Sequence, residues 1–227
     1  LKIFMGKYGE AIELMTGRQF NVWEGGARFG VYDYWTDAHL LRGHENFAAK
    51  KYTEALADYQ AAIDFPANLQ VAKTRRGGRA AEVSYWIATA YAVLGDQEKA
   101  KASFQESAAE LPRTGQNDVL PASDRSVLSY YRALSLKKLG EDDKAAAIFQ
   151  QLVTSGNNSL DRGSNADFFS KFGERQSQRT RVASAHYIVG LGRLGLDATQ
   201  KAKDEFNQAL KVKPDHLGAK IALEGLK

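Results

Sequence analysis

Glu82-Val-Ser-Tyr-Trp-Ile-Ala-Thr-Ala-Tyr91, followed by Leu94-Gly95-Asp96, Ala100-Lys-Ala-Ser-Phe104 and Pro112, is the stretch from which the fold is read. Apolar residues recur at helical spacing through Tyr85, Ala88 and Tyr91, and again through Ala100, Phe104 and Ala108. Gly95 stops the first helix and Asp96 is a ready N-cap for the second, so the two meet across a tight turn. The small Ala100 lets the pair approach closely, and Phe104, one turn on, fills the space beside it. Pro112 has no N–H to extend the second helix, so the unit closes there.

The same pattern recurs along the chain. Ala11, Ala55, Ala100 and Ala145 are separated by 44, 45 and 45 residues, and each is followed four residues later by a bulky side chain, Met15, Tyr59, Phe104 and Phe149. A fifth unit follows at Ala202 and Phe206, after a gap of 57. A fixed period of this kind marks stacked supersecondary units that share a core. The spacing resembles that of the tetratricopeptide repeat. The second unit carries it at Gly43, Tyr52, Ala55, Tyr59, Ala62 and Pro66. The fourth carries it at Leu139-Gly140, Ala145 and Phe149, and the fifth at Gly190, Ala202, Phe206, Ala209 and Pro214. Gly6-Lys7-Tyr8, Ala11 and Met15 read as the second helix of a first unit whose opening helix is mostly missing. Two positions depart from the pattern: Leu152 stands where a small residue is expected, and the Leu194-Gly195 turn falls two residues early.

The expected fold is therefore all-α, a right-handed superhelical solenoid of stacked helix-turn-helix repeats with long insertions between them. It reads as one domain over 1–227, with a partial repeat at 1–20 and repeats at about 32–66, 80–112, 123–154 and 179–214. A capping helix follows at 215–226, striped by Ala219, Ala222, Leu223 and Leu226. The insertions fall at Pro66–Arg79, Pro112–Ala122 and Ser155–Gln178, the last containing Phe168, Phe169 and Phe172 on an expected short helix bounded by Gly173.

Charge and composition narrow the function. The net charge of +4 is mild, short of the concentrated basicity of a dedicated nucleic-acid binder. No run approaches the roughly 20 apolar residues of a membrane-spanning helix, and the lack of cysteine removes thiolate chemistry. His39 and His44 are five apart, which turns them off a shared helical face, and His186 and His216 stand alone. Carboxylates are plentiful, but nothing in the sequence assembles a catalytic constellation, a metal site or a cofactor motif, and the chain is not read as an enzyme.

What remains is binding. Aligning the units on their alanines puts Leu40, Tyr85, Tyr130 and Tyr187 at one place in four successive first helices, each 15 residues before its alanine. In the tetratricopeptide resemblance this position lines the concave face, which implies a row for an extended peptide, a docked helix or a sugar face. Packing between helices is the other role open to these rings. Lys73, Arg75, Arg76 and Arg79 form a basic segment that could grip an acidic partner or remain solvated. The expected partner is a protein or peptide, or another region of the same parent polypeptide, with no membrane and no nucleic acid.

Trp23-Glu24-Gly25-Gly26, Arg42-Gly43, Pro66-Ala-Asn68-Leu69, Gly77-Gly78-Arg79-Ala80, Lys171-Phe172-Gly173 and His216-Leu217-Gly218 add a more particular resemblance. Together they are similar to the C-terminal repeat region of large bacterial proteins of uncharacterised function with a β-rich, carbohydrate-enzyme-like N-terminal region. That implies an excised C-terminal domain, and as an alternative function an accessory domain of a carbohydrate-active enzyme that shapes a cleft through Trp23, Trp35 or the inserted loops.

Overall fold

One turn, built five times, organises this protein. In the computed structural model, which describes residues 1–20, 30–70, 79–109, 122–163 and 172–226, Gly6, Lys50, Gly95, Gly140 and Asp197 all have positive φ, between 60° and 86°. Each lies five residues before the repeat alanine. The N–H of the following residue bonds the carbonyl five positions back in every case: Lys7 to Lys2, Lys51 to Asn46, Asp96 to Tyr91, Glu141 to Leu136 and Ala198 to Arg193, at 2.8–3.0 Å. This is the Schellman closure of a first helix. The alanine N–H then donates to the carbonyl of the residue after the turn, opening the second helix in all five units.

Glycine takes this left-handed conformation without cost, whereas Lys50 and Asp197 hold it against their Cβ atoms. Lys50→Gly should therefore stabilise the fold by about 0.5–1 kcal/mol, read as a higher urea midpoint with an unchanged slope. Gly95→Ala should act in the opposite direction.

The chain divides into two compact units, Leu1–Arg113 and Thr114–Lys227. In the first, a short 3-10 turn at Ile3–Met5 leads into α1 (Tyr8–Thr16). Two helix pairs follow, α2 (Val31–Ala48) with α3 (Tyr52–Ala61), and α4 (Ala80–Leu94) with α5 (Gln97–Ala108). Within the pairs, the helices touch where the repeat alanines lie. Ala55 and Ala100 are buried, and Tyr59 is wholly enclosed. A Cβ on Gly43 would come within 2.5 Å of the Tyr59 ring, so glycine there is demanded by close approach. Ala100→Leu should thus cost about 1–3 kcal/mol by overpacking, while Ala109→Leu at the exposed end of the same element should stay within roughly 0.5 kcal/mol. Equal urea midpoints for the two variants would remove the register.

The start of the first insertion is anchored. Leu69 is buried, and Asn68 donates through Nδ2 to the carbonyls of Met15 (2.8 Å) and Arg18 (2.6 Å), tying it to the end of α1.

The second unit contains α6 (Ala122–Lys138), α7 (Asp142–Gly163), α8 (Phe172–Gly195), α9 (Thr199–Val212) and α10 (Leu217–Glu224). Here the structure corrects two expectations. Residues 155–163 continue α7 and residues 172–178 already belong to α8, so Gly173 lies inside a helix and much of the third insertion lengthens the α7–α8 hairpin. The turn after α8 is formed by Asp197, not by Leu194-Gly195. Gly195 instead makes room for a ring: a Cβ there would collide with Phe149, as one on Gly192 would collide with the backbone of α7. Residues 164–171, including Phe168 and Phe169, lie outside the described residues. No strand occurs among the described residues.

Candidate functional site

The tyrosine row is where the sequence placed a candidate binding groove, and the structure buries two of its four members, Leu40 and Tyr130. Tyr85 meets Phe104, Tyr130 meets Phe149 and Tyr187 meets Phe206, with ring centroids 5.8, 5.8 and 5.9 Å apart. Each tyrosine precedes its phenylalanine by 19 residues. That constant spacing sets the first-helix ring against the second-helix ring of its own unit. Leu40 and Tyr130 are buried, so these two candidates have little surface to offer a ligand. Tyr187 is half-buried beneath the last helix, its ring 4.9 Å from that of His216 and against Gly218. Tyr85 is also half-buried, and burial pushes its hydroxyl pKa up, opposed by its interaction with Thr89.

The basic segment is likewise reassigned at its end. Arg79 flanks the start of α4 and is engaged by two carboxylates. Its Nε donates to Glu82 Oε2 at 2.7 Å and its Nη1 to Asp37 on α2. Burial works against its charge, and Glu82 and Asp37 more than restore it, so Arg79 stays cationic. It is a tie between α2 and α4, already satisfied, and not a free grip for a partner. The sequence hid this because Asp37 lies 42 residues away. Lys73, Arg75 and Arg76 lie outside the described residues.

Around this tie a face forms from α2 and α4. Tyr34, Asp37 and His44 fall on one side of α2 at helical spacing. His44 Nδ1 is 2.9 Å from the Tyr59 hydroxyl, and its ring is 4.3 Å from that of Trp86 on α4. Burial lowers the His44 pKa to about 4, so it is neutral at physiological pH. At the start of this face Tyr34 is 52% exposed. The contact of α2 with α4 is thus aromatic and joined by paired charges, with Tyr34 exposed at its start.

Sequence reading missed a second polar cluster. Asp58 is buried, and its carboxylate accepts from Arg42 Nη2 at 2.6 Å and Nε at 3.0 Å, and from Asn46 Nδ2 at 3.0 Å, with His39 Nδ1 at 3.1 Å. Burial raises its pKa, but the His39 and Arg42 contacts outweigh this and hold it below the usual range. His186 and Glu205 repeat the arrangement in the second unit at 2.7 Å, again 19 residues apart. That shared spacing was the available signal. These pairs join the two helices of a repeat. Among the described residues no group of three or more His, Cys, Asp or Glu side chains has the arrangement to hold a metal ion.

Trp35, proposed to shape a sugar cleft, is buried and donates from Nε1 to the Ala61 carbonyl at 2.8 Å. Its ring is therefore not available to stack on a ligand. Trp23 lies outside the described residues.

The family model of the tetratricopeptide repeat matches residues 82–114 and 128–155. The fold is tetratricopeptide-like. The matched stretches hold α4–α5 and most of α6–α7, the two helix pairs with glycine at the turn. A solved structure titled "Crystal structure of YrrB: a TPR protein with an unusual peptide-binding site" is 20% identical, over 82% of this chain and 91% of that one. Its TM-score is 0.28. No curated protein matches the chain significantly. No described helix is long and apolar enough to cross a membrane.

Proposed function

We propose that this tetratricopeptide-like chain is a protein-interaction module that binds an extended protein or peptide segment along its first helices, with the α2–α4 face as the principal contact. The observation that carries this reading is Tyr34, half-exposed on α2 one turn before Asp37, which is tied to Arg79 at the start of α4, the helix that carries the half-buried Tyr85 and Trp86. Tyrosine and tryptophan offer rigid apolar area with a hydrogen-bonding tip, which suits recognition at low entropic cost. Lys73, Arg75 and Arg76 precede α4 in sequence and would meet acidic groups flanking the bound segment. A segment elsewhere in the same parent polypeptide is a partner of the same chemistry, consistent with the particular resemblance of the sequence.

The test is a random extended-peptide library panned against the chain, followed by affinity measurement of selected peptides. Tyr34→Ala should weaken binding about tenfold or more with an unchanged melting temperature, since the side chain is not in the core. Neutralising Lys73, Arg75 and Arg76 should flatten the salt dependence. Unchanged affinity in Tyr34→Ala would place binding elsewhere.

A further inference from the structure

Two of the five left-handed turn residues are not glycine, and they differ in what they do. Asp197, with φ of 60°, accepts from Lys137 Nζ at 2.9 Å and so ties its turn to α6. Lys50, with φ of 61°, makes no such tie. Its side chain and that of Lys51 are exposed, and among the described residues no carboxylate pairs with either. Glu45 and Glu54, the acidic residues nearest in sequence, bond neither lysine. The helix ends do not account for the pair, because it lies between the C-terminus of α2 and the N-terminus of α3, whose partial charges oppose. A strained backbone with no structural return points to a contact made outside the chain.

Beside this turn stands exposed apolar surface. Asp37 meets Arg79 and His44 meets Trp86, each 42 residues on, so α2 and α4 lie side by side in a constant register. Carried to the ends of the two helices, that register sets Lys50 and Lys51 beside Ala92 and Val93. Val93 is 47% exposed and Leu94 42%. The turn itself does not demand this. In the second unit the equivalent pairs are Lys138-Leu139 and Gly195-Leu196, and both leucines are half-buried. Asp96, just beyond Leu94, is held by Lys99 at 2.7 Å and does not answer the two lysines.

We propose that Lys50, Lys51, Val93 and Leu94 form a docking surface for an acidic-apolar segment of another protein. Its carboxylates meet the lysines, and its aliphatic side chains cover Val93 and Leu94. The surface lies at the opposite end of α2 from Tyr34 and does not rest on the contact assigned to that residue. Packed helices stand about 8–10 Å apart, which is about three residues of extended chain. The carboxylates and the aliphatic side chains of the segment are therefore spaced by about that number.

The probe is a peptide carrying Asp-Asp-Gly-Leu-Leu between glycine-serine flanks, titrated into the isotope-labelled chain and followed by NMR. The amide signals of Lys50, Lys51, Val93 and Leu94 should move together. Lys50→Gly should raise the Tm and yet weaken the peptide about threefold, whereas a lysine with only a structural role would give the gain without the loss. Lys50→Gly combined with Lys51→Ser should weaken it about tenfold or more, and so should Val93→Ser with Leu94→Ser. Lys101→Ala, which removes an exposed charge of α5, should scarcely change the affinity. Replacing both aspartates of the peptide by asparagine should remove the salt dependence of binding. Equal affinity for the chain and its double lysine variant, or signals that move only elsewhere, would overturn the proposal. So would binding to phosphatidylserine vesicles with none to the peptide, or a dimer of the chain that Lys50→Gly dissociates, since a lipid surface or a second copy would then own the site.

Discussion

Phe149→Ala should destabilise the unit spanning residues 114–227 by about 4 kcal/mol, lowering its melting temperature by roughly 10 °C. The ring is 1% exposed and is hemmed in by two other helices. Tyr130 lies against it from α6, and Gly195 on α8 is glycine because the ring occupies the space of a side chain. Two helices have been shaped around one phenyl group, so its loss leaves a cavity bordered by relatively rigid elements. Phe149→Leu should cost much less, about 1.5 kcal/mol, since most of the volume stays. Urea unfolding followed by far-ultraviolet circular dichroism separates the two, and equal losses would mean the ring is not the keystone of the α6–α7–α8 contact.

Asp58→Asn should cost about 2–3 kcal/mol at neutral pH. The substitution keeps shape but replaces one acceptor oxygen by an amide that faces the donors of Arg42, Asn46 and His39. Arg42 is partly exposed and can turn to water, which keeps the loss at the lower end. The pH dependence carries a sign. The folded carboxyl titrates below its unfolded value, so its stabilisation is complete above the ordinary carboxylate pKa of about 3.9 and fades as pH falls through the lower folded value. The gap between Asp58 and the asparagine variant should be constant from pH 5 to 7, by about the same figure as above, and close in stronger acid. A gap that instead widened in acid would show that the carboxylate is not the stabilising form.

The repeat itself was legible because its two determinants, a small residue and a ring four positions later, are distinctive residue types at a fixed distance. The turns were legible at Gly95 and Gly140 and opaque at Lys50 and Asp197. There the left-handed backbone is imposed by the packing of the helices on either side, which overrides local preference. The α7 extension was hidden for a similar reason. Thr154-Ser-Gly-Asn-Asn-Ser159 reads as loop by propensity, yet it continues α7, and Gly156 is glycine because a Cβ there would press into Val189 and the Ala185 carbonyl on α8. For the candidate site, the spacing of the tyrosines was visible but not which way they point. A half-polar ring suits both a core and a groove, and the pairing of each ring with the phenylalanine 19 residues on is seen only in the fold. Arg79 looked like a loop charge because its partner Asp37 belongs to the preceding repeat.

The glycine-lined crossing of α7 and α8 has a consequence for how the molecule breathes. Where backbones touch without side chains between them, water and exchange catalysts reach the amides only after the hairpin separates, so these amides should be among the slowest to take up deuterium. The helices are neighbours in sequence, so the crossing also forms through short loop closures and can assemble early. The second unit should thus be stiffest where α7 crosses α8.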